Sequence, residues 1–184
     1  ADAQINAALA LEGQQKYDRA AKELIKFAKL FPERDEAADV YFRAAVVYKK
    51  VKKPRTEMKV LRDFIKKFGR DKKQQPKVIE AWARIGEIQL GYAEKAKKFK
   101  QRKAAKKASD DAFKKAVAGY AQAKDSPAAA YFAGKASFFL AENDFNAYEK
   151  MAIDGRTGKK QGKALIAKTK RLSEVANVYK TVIT

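Results

Sequence analysis

The chain has 184 residues, of which 46% are hydrophobic, and its 42 Lys and Arg exceed its 22 Asp and Glu to give a formal net charge of +20. It contains no Cys and no His, which excludes disulfides, thiol nucleophiles, Cys/His zinc sites and the usual general base near neutral pH. Lys and Ala favour helices, and only four Pro and nine Gly interrupt them, so we expect an all-α protein. The lack of Cys and His leads us to expect no cofactor.

The first two units, 1–32 and 35–69, are predicted to be helix–turn–helix pairs related by a shift of 37 residues. The shift superposes five apolar pairs: Ala8 on Ala45, Leu11 on Tyr48, Leu24 on Leu61, Phe27 on Phe64, and Phe31 on Phe68. The predicted helices span 3–13, 17–30, 35–50 and 55–68. Phe31-Pro32 ends the first unit because Pro cannot continue a helix, and Phe68-Gly69 ends the second with a C-terminal glycine.

The third unit, 76–124, is predicted to contain a long Lys-rich helix. Ile79, Trp82 and Ile85 mark its buried stripe. Beyond Tyr92 the apolar pattern thins, and residues 95–107 read KAKKFKQRKAAKK. We expect this helix to project past the body of the protein, and a new helix to start at the N-cap Ser109 and return antiparallel.

The fourth unit, 127–184, is predicted to start with a helix from Ser126-Pro127 to about Glu142, followed by a short helix around Tyr148. Residues 154–162, DGRTGKKQG, are predicted to form a loop before a last helix from Lys163. The loop lacks the G-x4-G-K-[ST] spacing of a phosphate-binding loop, and no strand precedes it. The four units give one domain of eight or nine helices over 1–184, which we expect to be a fragment of a longer repeat protein.

Two segments resemble the tetratricopeptide pattern of W-x2-L-G-x2-Y followed by Ala, Phe and Pro. They are Tyr17, Ala20, Phe27 and Pro32 in the first unit, and Trp82-x2-Ile85-Gly86-x2-Gln89 in the third. The stretch FAKLFPERDEAADVYFRAAVVYKK is similar to tetratricopeptide lipoproteins of outer-membrane assembly, and SPAAAYFAGK is similar to tetratricopeptide proteins of gliding-motility machines. The resemblance implies a right-handed α-α superhelix of antiparallel helix hairpins. It also implies a non-catalytic scaffold in the periplasm or cell envelope. Because the chain begins at Ala1 without Met, we expect a signal or anchor to have been cut away.

The resemblance further implies a partner-binding surface, because the first helix of each tetratricopeptide unit lines the concave face. Carried onto this chain, the face contains Ile5, Leu9, Phe42, Val46, Lys49, Lys50, Glu87 and Leu90, with Glu12, Asp39, Glu80 and Ala83 beside them. Such a mixed strip suits a partner helix or extended peptide, and the net charge favours an acidic partner. Recurrent aromatics are expected mainly in the repeat core, with a few open on the groove. They include Tyr41, Phe42, Tyr48, Phe64, Phe68, Tyr131, Phe132, Phe138 and Phe139.

A second candidate surface is the basic patch Lys95, Lys97, Lys98, Lys100, Arg102, Lys103, Lys106 and Lys107. It fits either a solvated helix face that keeps the protein soluble, or a pad for an acidic protein, anionic lipid heads or nucleic acid. The run has too few apolar residues for a membrane-inserting helix, and Phe99 is its only aromatic. No apolar stretch approaches the roughly 20 residues of a membrane span. We therefore expect a protein-binding scaffold that is not an enzyme, with polyanion or nucleic-acid binding as the alternative.

Overall fold

The computed structural model describes residues 2–153 and 158–183, and within these ranges every regular element is a helix and none is a strand. The eight α-helices are α1 (Asp2–Gly13), α2 (Tyr17–Leu30), α3 (Ala37–Lys50), α4 (Pro54–Phe68), α5 (Gln75–Lys95), α6 (Phe99–Gly119), α7 (Pro127–Glu149) and α8 (Gly158–Ile183). Short 3-10 helices span Lys72–Gln74 and Tyr120–Gln122. The all-α prediction and the expected number of helices are confirmed for this part of the chain.

Neighbouring helices pack against each other along the whole chain, and α7 also packs against α5. One apolar cluster joins α1 to α5, with the fully buried side chains of Leu24, Phe27, Leu61 and Phe64 at its centre. A second cluster joins α5, α6 and α7 around Phe113. Trp82 contacts both clusters, so it lies where the two halves of the core meet.

The 37-residue repeat of the first two units is present in their turns as well as in their cores. Gln15 and Lys52 adopt left-handed backbone angles, with φ of 57° and 55°, and are 37 residues apart. The same hydrogen bond closes both turns, from the Lys16 N–H to the Leu11 carbonyl at 2.8 Å and from the Lys53 N–H to the Tyr48 carbonyl at 3.0 Å. Two ring pairs repeat too: Phe27 with Phe31 at 5.4 Å between centroids, and Phe64 with Phe68 at 5.2 Å.

The third unit differs from its prediction, because the helix break lies inside the basic run. Helix α5 ends at Lys95, residues 96–98 form a turn, and α6 starts at Phe99 and runs back antiparallel along α5. Ser109 is therefore not an N-cap: it is fully buried within α6, and its hydroxyl donates to the Gly86 carbonyl at 2.8 Å. The expected long helix running through the basic residues and the new start at Ser109 are both wrong.

Close packing of α5 on α6 explains why the chain turns back so early. A Cβ on Gly86 would lie 2.4 Å from Cε1 of the fully buried Phe113, so only glycine allows this approach. Ala83, Ala112 and Ala116 are also buried nearby. Small residues at a helix–helix contact let the backbones approach closely, which leaves Ser109 within reach of the Gly86 carbonyl.

The fourth unit also differs from its prediction in two places. Helix α7 continues without a break to Glu149, where a new helix was expected after Glu142. The Asn143 side-chain amide donates to the Asp110 carboxylate at 2.7 Å, which fastens this part of α7 to α6. Helix α8 begins at Gly158, so residues 158–162 of the predicted loop are helical, and residues 154–157 lie outside the described residues. The start at Ser126-Pro127 is confirmed, with the Ser126 hydroxyl accepting from the Ala129 N–H at 3.3 Å.

Candidate partner-binding face

Ion pairs join each odd-numbered helix to the next odd-numbered helix. Arg43 of α3 contacts Glu12 of α1 at 3.1 Å, Lys77 of α5 contacts Asp39 of α3 at 2.8 Å, and Lys135 of α7 contacts Glu87 of α5 at 2.9 Å. All three pairs are partly exposed. We call the surface of α1, α3, α5 and α7 along which these pairs lie the odd-helix face.

The residues predicted for a concave face occur on these helices with unequal exposure. Val46 and Leu9 are 46% and 41% exposed, whereas Phe42 is only 6% exposed. Lys49 and Lys50 are exposed, and the other three are half-buried: Ile5, Glu87 and Leu90. The accessible part of the predicted surface is therefore a mixture of aliphatic side chains and lysines.

A groove of about 350 Å³ lies between α1 and α3 on the odd-helix face, lined by Glu12, Asp39, Phe42, Arg43, Val46, Val47 and Lys50. Phe42 is fixed from below by an edge contact with Phe64, whose ring centroid is 5.0 Å away. The groove thus combines accessible Val46 and the buried Phe42 and Val47 beneath it with four charged side chains, a mixture that suits an amphipathic segment.

Three aromatic residues of α7 form an exposed stripe on the same face. Tyr131, Phe138 and Phe145 are 62%, 47% and 38% exposed and follow one another at intervals of seven residues, which is about two helical turns. Lys135, which pairs with Glu87 of α5, lies between the first two of them. The core positions of α7 are instead Ala129, Ala133 and Ala136. We call Tyr131, Phe138 and Phe145 the aromatic stripe.

Sequence reasoning expected most of these aromatics in the core, and the structure separates them into two sets. Phe132 and Phe139 pack against the second core cluster, while Tyr131 and Phe138 stand beside them in edge contacts at 5.0 and 6.2 Å between centroids. The position of each residue around the helix, which can be read from the sequence, could have distinguished the two sets. Residues 131, 138 and 145 share a helix side that the buried alanines do not occupy.

Charge is segregated between the two sets of helices. The even-numbered helices α2, α4, α6 and α8 carry 23 Lys and Arg against seven Asp and Glu, a surplus of 16. The odd-numbered helices carry seven basic and nine acidic residues, a deficit of two. The net charge that led us to expect an acidic partner is therefore concentrated away from the odd-helix face.

A buried ion pair holds α5 in place behind this face. Arg84 and Glu57 are 3% and 5% exposed. The Arg84 guanidinium donates to Glu57 Oε1 from Nη2 at 2.6 Å and from Nε at 2.9 Å, and to the Ala45 carbonyl at 3.1 Å. Glu80 lies 3.4 Å from Arg84, and burial raises the pKa of Glu80 against the opposing charges of Arg84 and two lysines. The network connects α3, α4 and α5.

The predicted basic patch lies at the end of the α5–α6 hairpin, which we call the hairpin tip (residues 95–107). Lys95 ends α5, Lys97 and Lys98 lie in the turn, and the remaining five basic residues are on α6. All eight are exposed, and none of them has a carboxylate of the described residues within 4.0 Å. Phe99, at the start of α6, is 76% exposed.

Two further findings concern only residues 2–153 and 158–183. No group of three or more acidic residues comes together as a possible metal site in these ranges. No helix there is both long and apolar enough to cross a membrane.

We compared the chain with family models, with curated proteins and with solved structures. None of the three comparisons finds a match.

Proposed function

We propose that this chain is a non-catalytic scaffold whose odd-helix face holds an amphipathic segment of a partner protein. The observation that carries the proposal is the aromatic stripe on α7, because rows of exposed aromatic side chains are the usual anchors of protein interfaces. Together with Val46 and Leu9, the stripe offers apolar contacts on three of the four helices that make up the face. The partner contributes a helix or extended segment with apolar side chains on one side.

We further propose that the helix pairs form a right-handed, tetratricopeptide-like superhelix. Support comes from the 37-residue repeat of the first two units, from the order of helix contacts, and from the ion pairs between successive odd-numbered helices. In such a repeat array the first helix of each pair lines one surface, which is the role of α1, α3, α5 and α7 here.

The charge balance of the odd-helix face favours an amphipathic partner over a strongly acidic one. Its acidic side chains already pair with Arg43, Lys77 and Lys135 within the chain. Partner affinity should therefore depend on the aromatic stripe more than on salt concentration. The resemblance to envelope tetratricopeptide proteins is the basis for placing this scaffold in the bacterial periplasm or cell envelope.

The test is co-purification from detergent-solubilised envelopes with three tagged variants beside the wild type. Tyr131→Asp and Phe138→Asp each place a charge in the stripe, and Leu30→Asp is the control, at a 56% exposed position that ends the even-numbered helix α2. We expect one defined partner with the wild type and with Leu30→Asp, and at least about tenfold less with either stripe variant. Recovery of the chain alone, or equal recovery with all variants, would contradict the proposal.

Polyanion or nucleic-acid binding is the second candidate function, and the basic surplus of the even-numbered helices favours it. Such binding would depend on phosphate contacts and weaken steeply with salt. A salt titration against a DNA duplex distinguishes the two functions. Micromolar affinity at physiological salt with a steep slope would favour the polyanion, and negligible binding there would favour the scaffold.

A further inference from the structure

The hairpin tip combines an exposed aromatic ring with dense positive charge. Phe99 is the most exposed large hydrophobic side chain of the described residues, at 76%, and it lies between Lys98 and Lys100 directly after the turn. Single exposed apolar residues are common on protein surfaces. This one is unusual in its position, because it stands at the apex of a hairpin whose neighbouring side chains are nearly all charged.

The positive charge of the tip is not neutralised by close ion pairs in the described part of the chain, where only the charge of Lys106 acts on a nearby carboxylate, that of Asp110. The tip holds eight basic residues and no acidic one, and no salt bridge involves any of them. The first turn of α6 contains no acidic residue either, so Lys100 and Arg102 lie close to the positive end of the helix dipole, where cations are unfavourable. An external anionic surface would relieve this repulsion.

We propose that the hairpin tip docks on an anionic phospholipid surface, with its lysines at the headgroup phosphates and Phe99 inserted at the interface. Phe is one of the apolar residues that interfacial segments bury at the boundary of headgroups and acyl chains, and clusters of four to eight basic residues are typical of binding to acidic lipids. Sequence reasoning considered a helix lying flat on the membrane, which needs a continuous apolar side. A hairpin that meets the surface with its apex needs only an apolar apex.

Nucleic acid fits the tip less well than a bilayer does. Single-stranded nucleic acid is bound by several aromatic rings along a groove, and the tip offers one ring at a protruding turn. Seven of its eight basic residues are Lys, which acts as a point charge towards phosphates and lacks the planar fork that reads bases. The proposal is also independent of the odd-helix face, since it uses none of the residues that form the ion pairs, the groove or the aromatic stripe there.

The test measures partitioning of the full chain onto vesicles of phosphatidylcholine, with and without about 30% phosphatidylglycerol, at about 0.1 M salt. Phe99→Ala removes the ring, and Leu30→Ala is its control at another exposed apolar position. A second pair of variants separates local charge from total charge. Lys97, Lys98, Lys100 and Lys103 are changed to Gln in one variant, and Lys59, Arg62, Lys66 and Lys67 of α4 in the other.

We expect binding only to the phosphatidylglycerol vesicles. Phe99→Ala should lower the partition coefficient by about tenfold, and Leu30→Ala by less than about twofold. Each basic residue near an anionic bilayer contributes about fivefold, so the tip charge variant should lose about a hundredfold or more, and the α4 variant less than about fivefold.

Three results would overturn the proposal. One is equal binding to both kinds of vesicle, or no binding to either kind. Another is equal loss in the tip and α4 charge variants together with unchanged binding of Phe99→Ala, which would mean attraction by net charge alone. The third is tighter binding of the tip to a DNA oligonucleotide than to the anionic vesicles at the same salt concentration.

Discussion

The buried Arg84–Glu57 pair gives the sharpest test of how the helices are held together, because removing one partner should cost far more than removing both. Glu57→Leu leaves the guanidinium buried with the Ala45 carbonyl at 3.1 Å and the Glu80 carboxylate at 3.4 Å as its remaining hydrogen-bond partners, and the Phe42 ring centroid at 5.6 Å. Glu57 is the closer of the two carboxylates, and breaking a buried ion pair by removing one partner typically destabilises a fold by about 3–5 kcal/mol. Against a total stability of about 5–15 kcal/mol, Glu57→Leu and Arg84→Met should each remove a large fraction of the free energy of unfolding.

The double variant Glu57→Leu/Arg84→Met replaces the pair with apolar side chains of similar length, a change that is often neutral or stabilising. In the first unit, Ala20 is the 37-residue counterpart of Glu57 and is fully buried, so helix-pair packing does not itself require a carboxylate there. We expect the double variant to lie within about 2 kcal/mol of the wild type, with a coupling energy of about 3 kcal/mol or more.

Urea unfolding measures these differences. The fluorescence of Trp82, the only Trp, reports where the two core clusters meet, and circular dichroism reports the whole chain. Coincident transitions are needed before free energies are compared. The partly exposed pair Glu12–Arg43 is the control, and removing it should change stability by less than about 1 kcal/mol. A cost below about 1 kcal/mol for Glu57→Leu, or a double variant as unstable as the sum of the singles, would refute the reasoning.

Three further predictions concern stability. Gly86→Ala should destabilise the fold by about 1–3 kcal/mol, because its Cβ would lie 2.4 Å from the Phe113 ring. Gly91→Ala on the same helix meets nothing within 4 Å and should stabilise the fold by about 1 kcal/mol. Equal effects of the two variants in chemical unfolding would contradict this. Lys52→Gly should increase the free energy of unfolding by about 0.5–1 kcal/mol and so raise the melting temperature, because glycine relieves the left-handed φ of 55°. A lower melting temperature would argue against backbone strain at this position. Burial, with a smaller contribution from Asp63, raises the pKa of Tyr41 from 10.0 to about 12, so its contribution to stability is complete below pH 10 and is lost as the pH rises towards 12. Between about pH 9 and about pH 11 the wild type should lose about 1 kcal/mol relative to Tyr41→Phe, and parallel pH profiles of the two proteins would count against the assignment.

Much of the fold could be predicted because the spacing of apolar residues and the Pro and Gly residues at helix ends agree in the first two units. Pro54 and Gly69 lie at the ends of helix α4, and four of the five pairs superposed by the 37-residue shift have matching burial, as with Leu24 and Leu61. The turn at 96–98 could not be predicted in the same way, because Ala96-Lys97-Lys98 contains no helix breaker. Its position depends on the contact between Gly86 and Phe113, which are 27 residues apart in the chain.

The candidate site was only partly predictable for a similar reason. The resemblance selected the helices of the odd-helix face, and Val46 and Leu9 on them are indeed accessible. It did not select the aromatic stripe, because an aromatic residue at helical spacing is as compatible with a core as with a surface. Whether Tyr131 or Phe132 is buried depends on which side of α7 meets α5 and α6, and tertiary packing decides that.

The most direct test of the proposed binding face is site-specific photo-crosslinking in cells, with benzoyl-phenylalanine in place of Phe138, Val46 or Lys59. Phe138 and Val46 lie on the odd-helix face, and Lys59 is exposed on α4. The proposal predicts one crosslinked species of the same mass from positions 138 and 46 and none from position 59. Crosslinks from position 59 alone, or unrelated species from all three positions, would contradict it.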